Sequence, residues 1–281
     1  MNQLKPYYVT PYLMGVFAVL FYSSYKLLTT GLYTSWLGAF ISVLPAGIFF
    51  STVLAGKRAR TSANLPSVWI VGAVGAVVAL VLPGEGAMAQ ILALGVGFFG
   101  GLLYVFWYSR FGDRSSSLLI EGKTLPEFVL KDENGNPVNA STIRQQPALL
   151  LFFRGNWCPL CMAQIGEIAS QYKELDQRGV NIYLVSPQSE SNTKSLAARF
   201  DVPMTFLIDE GSLVARQLGI IHEKGVPLGV PGYDDDTIMP TALLTDATGK
   251  ILMADLTDNY RVRPEPETFL RIFDQHGINA V

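Results

Sequence analysis

Between residues 1 and 112 the chain carries only seven charged side chains: Lys5, Lys26, Lys57, Arg58, Arg60, Glu85 and Arg110. The rest of the chain holds 15 of the 21 Lys and Arg and 22 of the 23 Asp and Glu, a net charge of about −7. Two stretches so different in charge do not share a solvent. The first belongs in lipid and the second in water.

Four apolar stretches fill the first part, and they predict an all-α bundle of four transmembrane helices at about 9–28, 32–56, 65–83 and 87–108. Each is close to the roughly 20 residues that cross a hydrocarbon layer. Pro45, inside the second, kinks a membrane helix without forbidding it. The first stretch is rich in Tyr and Ser and carries Lys26, so a signal peptide is the rival reading, but no small-residue cleavage site follows it. Gly97-x-x-x-Gly101 is a spacing that lets two helices approach closely.

The basic residues set the expected orientation. Lys57, Arg58 and Arg60 lie between spans two and three, Arg110 and Arg114 follow span four, and Lys5 precedes span one. An even number of crossings puts them on one side, with Lys26 and Glu85 opposite. The positive-inside rule then makes the chain an integral protein, as of a bacterial inner membrane, with its soluble part in the cytoplasm. Residues 1–110 contain no Cys and no His. A transmembrane thiol relay and haem ligation through histidine are both excluded there.

Residues 111–120 read as a polar, flexible linker, and residues 121–281 as a second domain in which strands alternate with helices. Strands are predicted at Phe128–Lys131 and Pro137–Val138 around a glycine turn, then at Ala148–Phe153, Asn181–Val185 and Met204–Ile208. A helix running from the cysteines to Gly179 follows the third strand, and others are expected at Ser191–Phe200, Ser212–Leu218 and Glu265–Phe273. Ile221–Met239 reads as a loop-rich insertion, and Thr241–Thr245 with Ile251–Leu256 as a closing hairpin. The alternation predicts an α/β sandwich: a central mixed sheet flanked by helices.

The chain has two cysteines, Cys158 and Cys161, in the phrase Trp157-Cys158-Pro159-Leu160-Cys161. A strand, a short loop and then a cysteine at a helix start is the geometry of a reactive dithiol. The positive end of the helix favours thiolate and predicts a lowered pKa for Cys158. Cys161, one turn on, closes a disulfide and expels a bound substrate. Redox chemistry needs no metal or prosthetic group beyond this pair. The rival use is metal binding, but tetrahedral sites want four ligands, and the two histidines, His222 and His276, are not spaced with the cysteines. Asp234-Asp235-Asp236 reads as a solvated loop, and Arg261 and Arg263 as solvent-facing or paired residues.

The stretch from about Leu125 to Phe273 resembles the thioredoxin superfamily, and more closely its redoxin branch of peroxiredoxin-like proteins of the alkyl hydroperoxide reductase/thiol-specific antioxidant type. Phe153-Arg154-Gly155-Asn156-Trp157-Cys158-Pro159-Leu160-Cys161 carries the resemblance, with Met239-Pro240-Thr241-Ala242-Leu243-Leu244 as the second mark. Residues 1–110 have no part in it. The resemblance implies a cis Pro240 facing the cysteines, Trp157 and Pro159 shaping a substrate groove with it, and Arg154 stabilising a thiolate or pairing at the surface. Two departures from the peroxiredoxin pattern stand out. Cys158 occupies the place of a threonine three residues before the peroxide-reacting cysteine, and Pro240 occupies the place of an arginine. Thioredoxin keeps a buried aspartate where this chain has Phe152.

These readings point to a membrane-anchored thiol–disulfide oxidoreductase, with Cys158 attacking a disulfide and Cys161 resolving. A thiol-dependent peroxidase using the same cysteines is the alternative, and a membrane-tethered copper-handling protein is a more distant one. The implied partners are a protein disulfide or peroxide, a cellular thiol reductant and the lipid bilayer. Nothing in the sequence suggests nucleic acid.

Overall fold

The structure is a computed structural model that describes residues 2–56, 58–84 and 87–280. Lys57 and Glu85, two of the charges used for orientation, lie outside the described residues. Two compact units emerge, one built on the apolar helices and one on residues 111–226 and 230–280.

In the first unit three helices are long and apolar enough to cross a membrane: Gln3–Thr30, Ser35–Leu54 and Met88–Tyr108. The stretch expected as the third span forms the helix Pro66–Val81, apolar but only 16 residues long. At 1.5 Å per residue it covers roughly 24 Å, against a hydrocarbon thickness of about 30 Å. Ser35–Leu54 runs through Pro45 without interruption. Met88–Tyr108 is wound as a π-helix over Ala93–Gly100 and again over Tyr104–Tyr108.

Small residues hold these helices together at backbone distance. A Cβ on Gly38 would lie 2.1 Å from the backbone nitrogen of Ala79, and one on Gly75 would lie 2.3 Å from that of Ser42. Gly97 approaches Ser42 as well, its own added Cβ falling 2.3 Å from the Ser42 hydroxyl. Lipid offers no hydrophobic drive between helices, so packing at this range is what binds them.

The second unit is built on a seven-stranded mixed sheet in the order β2-β1-β5-β4-β3-β8-β9. Its strands are β1 Val129–Asp132, β2 Pro137–Asn139, β3 Ala148–Phe152, β4 Asn181–Ser186, β5 Thr205–Ile208, β8 Thr241–Thr245 and β9 Ile251–Ala254. β3, β4 and β5 run parallel, while β8 pairs antiparallel with β3. All five residues of β3 are buried. Leu150 and Phe152 join a core with Leu130, Val185, Leu207 and Leu243, while Leu149 and Leu151 alternate to the other face. A strand covered on both faces reads as an unbroken apolar run, as this one does.

Three stretches differ from the sequence reading. The helix after the cysteines ends at Ser170, and a second begins at Tyr172, because Gln171 leaves helical geometry at ψ 9°. The insertion is closed by two short strands, β6 Ile221–His222 and β7 Thr237–Ile238, paired antiparallel. Asp236 clamps it further, accepting from the Lys224 N–H and the Arg216 guanidinium, each at 2.8 Å. Finally, the expected flexible linker is tied down. Arg114 is buried and donates to the carbonyls of Thr257 and Pro240 at 2.9 and 3.3 Å and to the Thr241 hydroxyl at 2.5 Å. A buried guanidinium needs these acceptors, and they order the chain around it.

Gly38→Leu and Gly75→Leu are expected to lower the stability of the detergent-solubilised protein by about 1–3 kcal/mol or more. Thermal unfolding measures this. Gly95→Ala is the control, since a Cβ there meets nothing within 4 Å.

Candidate active site

β3 delivers the chain into the cysteine loop at the middle of the sheet. The Phe153 N–H continues the parallel pairing by donating to Val185 O at 2.9 Å. Gly155 then turns at φ +135°, where a Cβ would meet the Trp157 ring at 2.9 Å, so only glycine fits. Cys158 is the N-cap of the helix Pro159–Ser170, and Pro159 takes its first position, where a missing N–H costs nothing. The Cys158 carbonyl accepts from both Cys161 and Met162 N–H at 3.0 Å.

The two sulfurs are 2.8 Å apart, unbonded and buried, with Cys158 3% and Cys161 0% exposed. The group that faces them comes from the far end of the chain. Arg263 places its guanidinium nitrogens 3.4 and 3.5 Å from Cys161 Sγ and 3.9 Å from Cys158 Sγ. It also donates to Gln164 Oε1 at 2.8 Å and to Tyr260 O at 3.0 Å. Among the described residues no carboxylate partners it. Sequence reasoning expected Arg263 at the solvent or in an ion pair, yet it is 6% exposed and its counter-charge is a cysteine. Arg261, expected at the solvent or paired, is buried as well.

This arrangement reverses the expected ionisation order. Burial, its hydrogen bond to Cys161 and the charge there push the Cys158 thiol well above its ordinary 9.0, against the smaller pull of Arg263 and Arg154. Burial alone would also raise Cys161. The hydrogen bond from Cys158, the charge and hydrogen bonds of Arg263 and a backbone hydrogen bond from Arg154 outweigh it and bring Cys161 down to about 5. These directions favour the thiolate at Cys161, the sulfur nearer Arg263, and the proton at Cys158. The helix end, worth about 1 kcal/mol, is outweighed by a direct hydrogen bond and an adjacent cation.

The other expected site residues fall into place around this pair. Arg154 is buried rather than at the surface. Its guanidinium lies 4.7 Å from the Trp157 ring centre and 5.5 Å from that of Tyr260, and it donates to Gly225 O. Trp157 thus covers Arg154 and Gly155, and has no hydrogen bond to either sulfur. The Trp157–Arg154–Tyr260 stack holds the loop whose Tyr260 carbonyl orients Arg263. Pro240 precedes Thr241, which pairs with Phe152 at the sheet end where the cysteine loop begins. All described peptide bonds are trans, including that before Pro240. The trans form is the ordinary preference of an X–Pro bond, and here the Pro240 carbonyl is taken by Arg114. His222 sits on β6 with its ring edge-on to Phe111 at 5.1 Å, bound to neither cysteine. Among the described residues, no group of three or more His, Cys, Asp or Glu is placed to hold a metal ion.

Comparison with known proteins bears on the same residues. The AhpC/TSA family profile matches residues 122–254. Residues 122–254 form a peroxiredoxin-like redoxin domain of the thioredoxin superfamily. Chloroplastic peroxiredoxin Q of Sedum lineare is 30% identical over 100 residues, covering 36% of this chain and 54% of that protein. Its counterpart in Arabidopsis thaliana is 29% identical over 100 residues, covering 36% and 46%. The chain spans about half the length of the curated relatives it matches. Among solved structures, peroxidoxin BcpB from Mycobacterium tuberculosis superposes with a TM-score of 0.44 at 20% identity, covering 55% of this chain and 96% of that one.

The sequence reading does not single out Gln164 beside the cysteines, and it places Arg263 at the solvent or in a pair. A signal for each was present. Pro240 stands where the family pattern has an arginine, which leaves a vacancy for another arginine to fill. Gln164 is a polar residue among the apolar positions of the cysteine helix.

Ultraviolet thiolate absorbance of the reduced protein is expected to titrate with a midpoint near pH 5. Arg263→Ala should move it upward by roughly 1–3 pH units. Because folding lowers the Cys161 pKa from 9.0, the Cys161 contribution to stability is fully present above about pH 9 and is lost as pH falls through about 5. Denaturant unfolding of the reduced wild type against Cys161→Ser should show that loss across the same range.

Proposed function

We propose that this chain is a membrane-anchored, thiol-dependent peroxidase in which Cys161 attacks the peroxide and Cys158 resolves. The observation that carries this reading is the buried Cys161 thiolate, held by Arg263, with Cys158 2.8 Å away. The peroxiredoxin-like family assignment supports it. So does the burial of both sulfurs, which suits a hydroperoxide small enough to enter better than a folded protein disulfide.

The steps balance with the two cysteines alone. The Cys161 sulfur donates an electron pair to the terminal oxygen of the hydroperoxide, the O–O bond breaks, and an alcohol or water leaves once protonated. Cys161 is then a sulfenic acid. Cys158 attacks its sulfur, the S–O bond breaks, and water departs as the disulfide forms. A cellular dithiol restores the pair by exchange through a mixed disulfide. Arg263 holds the thiolate and meets charge that develops on the cleaved oxygens.

Thiol–disulfide exchange beginning at Cys158 is the second reading. The Cys-Pro-Leu-Cys spacing at a helix start favours it, as does the missing threonine. The three long apolar helices support the membrane anchor, and the bacterial inner membrane with a cytoplasmic redox domain remains the proposed location.

The full chain in detergent, assayed with hydrogen peroxide and a thiol reductant, is expected to consume peroxide catalytically. Cys161→Ser should fall to background. Cys158→Ser should consume one equivalent and stop as a sulfenic acid that dimedone captures. Rapid reduction of a protein disulfide without peroxide consumption would instead establish exchange.

A further inference from the structure

Cleaving a hydroperoxide leaves the departing oxygen as an alkoxide or hydroxide that needs a proton, and few groups at this site have one to give. Arg263 faces the attacking sulfur, but a guanidinium does not deprotonate in a protein. Gln164 offers an amide, which is no acid. Tyr260 turns its ring to Arg154, and the Tyr233 hydroxyl is bound to Asn156. His222 packs on Phe111, and among the described residues no Asp or Glu makes a hydrogen bond to either sulfur. The remaining acid is Cys158, buried, 2.8 Å from Cys161, and standing where the family pattern has a hydroxyl.

We propose that Cys158 is the proton donor to the departing oxygen, and that this transfer makes Cys158 the resolving nucleophile. The inference rests on the peroxidase reading and gives one residue two consecutive roles. In the first step the Cys161 electron pair forms the S–O bond. The O–O pair leaves on the outer oxygen, and the Cys158 thiol proton moves onto it, giving alcohol or water, a Cys161 sulfenic acid and a Cys158 thiolate. In the second, the Cys158 thiolate forms the S–S bond and the S–O pair leaves as hydroxide, which takes a proton from solvent. The dithiol has lost two electrons and the peroxide has gained them.

The coupling explains why a cysteine can stand in the threonine position. A hydroxyl there donates a hydrogen bond but is too weak an acid to end as an anion. A thiol ends the first step already activated for the second, with no separate base. The high pKa of Cys158 keeps the proton in place until the oxygen departs. The charged groups facing it are Cys161, Arg263 and Arg154.

The test is the rate of the first step, followed by stopped flow on the full chain in detergent with hydrogen peroxide, across pH. In the wild type the rate constant is expected to rise as Cys161 ionises, level off, and then fall at high pH as Cys158 loses its proton. Cys158→Ala should lack the falling limb and react roughly a hundredfold more slowly on its plateau. Comparing plateaus removes any change in Cys161 ionisation, which thiolate absorbance tracks in each protein. A wild type with no falling limb, or a Cys158→Ala plateau equal to it, overturns the proton role while leaving the peroxidase reading intact. A wild type that does not react with peroxide overturns both.

Discussion

Everything at this site depends on a buried cation whose partner is a sulfur. Among the described residues Arg263 has no carboxylate beside it, and its burial would alone cost several kcal/mol. Ionised Cys161 offsets that cost, and the carbonyl oxygens of Gln164 and Tyr260 satisfy the donors the thiolate leaves free. The dependence is mutual. Cys161 is fully buried and would ionise less readily without the guanidinium, and the guanidinium would be an unpaired internal charge without the thiolate. Because the two are 102 residues apart in the chain, the ionisation of the site is a property of the folded sheet and not of the cysteine motif.

That constraint decides which cysteine is which. A helix N-terminus favours an anion at its cap, and Cys158 is the cap. The effect is modest and falls off within a turn. The guanidinium lies nearer the second sulfur, which favours negative charge there and a proton on the sulfur farther from it. An exposed first cysteine suits exchange with large substrates. A buried second thiolate backed by a thiol suits a small oxidant.

The apolar unit follows a different physics. It has neither cysteine nor histidine, and its order comes from Gly38, Gly75 and Gly97 admitting backbones to within contact of Ala79 and Ser42. Aromatic rings fill the space beside them, Tyr8 stacking on Tyr12 at 5.4 Å and Tyr12 on Tyr104 at 5.8 Å. Both cysteines belong to the second unit, and three helices of the first are long and apolar enough to cross a membrane.

The amino-acid sequence by itself determined the division into an apolar and an acidic part, the seven strands of the main sheet within a residue or two, and the placing of Cys158 and Cys161 at a helix start. These are local properties: hydropathy over a span, alternation along a strand, two cysteines one helical turn apart. The length of Pro66–Val81, the order within the 111–120 segment and the pairing of β6 with β7 were not legible, because each rests on contacts with distant chain. So did the identity of the thiolate. Only the tertiary structure brought Arg263 to Cys161 and kept Arg154 inside against Trp157 and Tyr260. A pKa is set by what surrounds a group in space, and a motif specifies only what surrounds it in sequence.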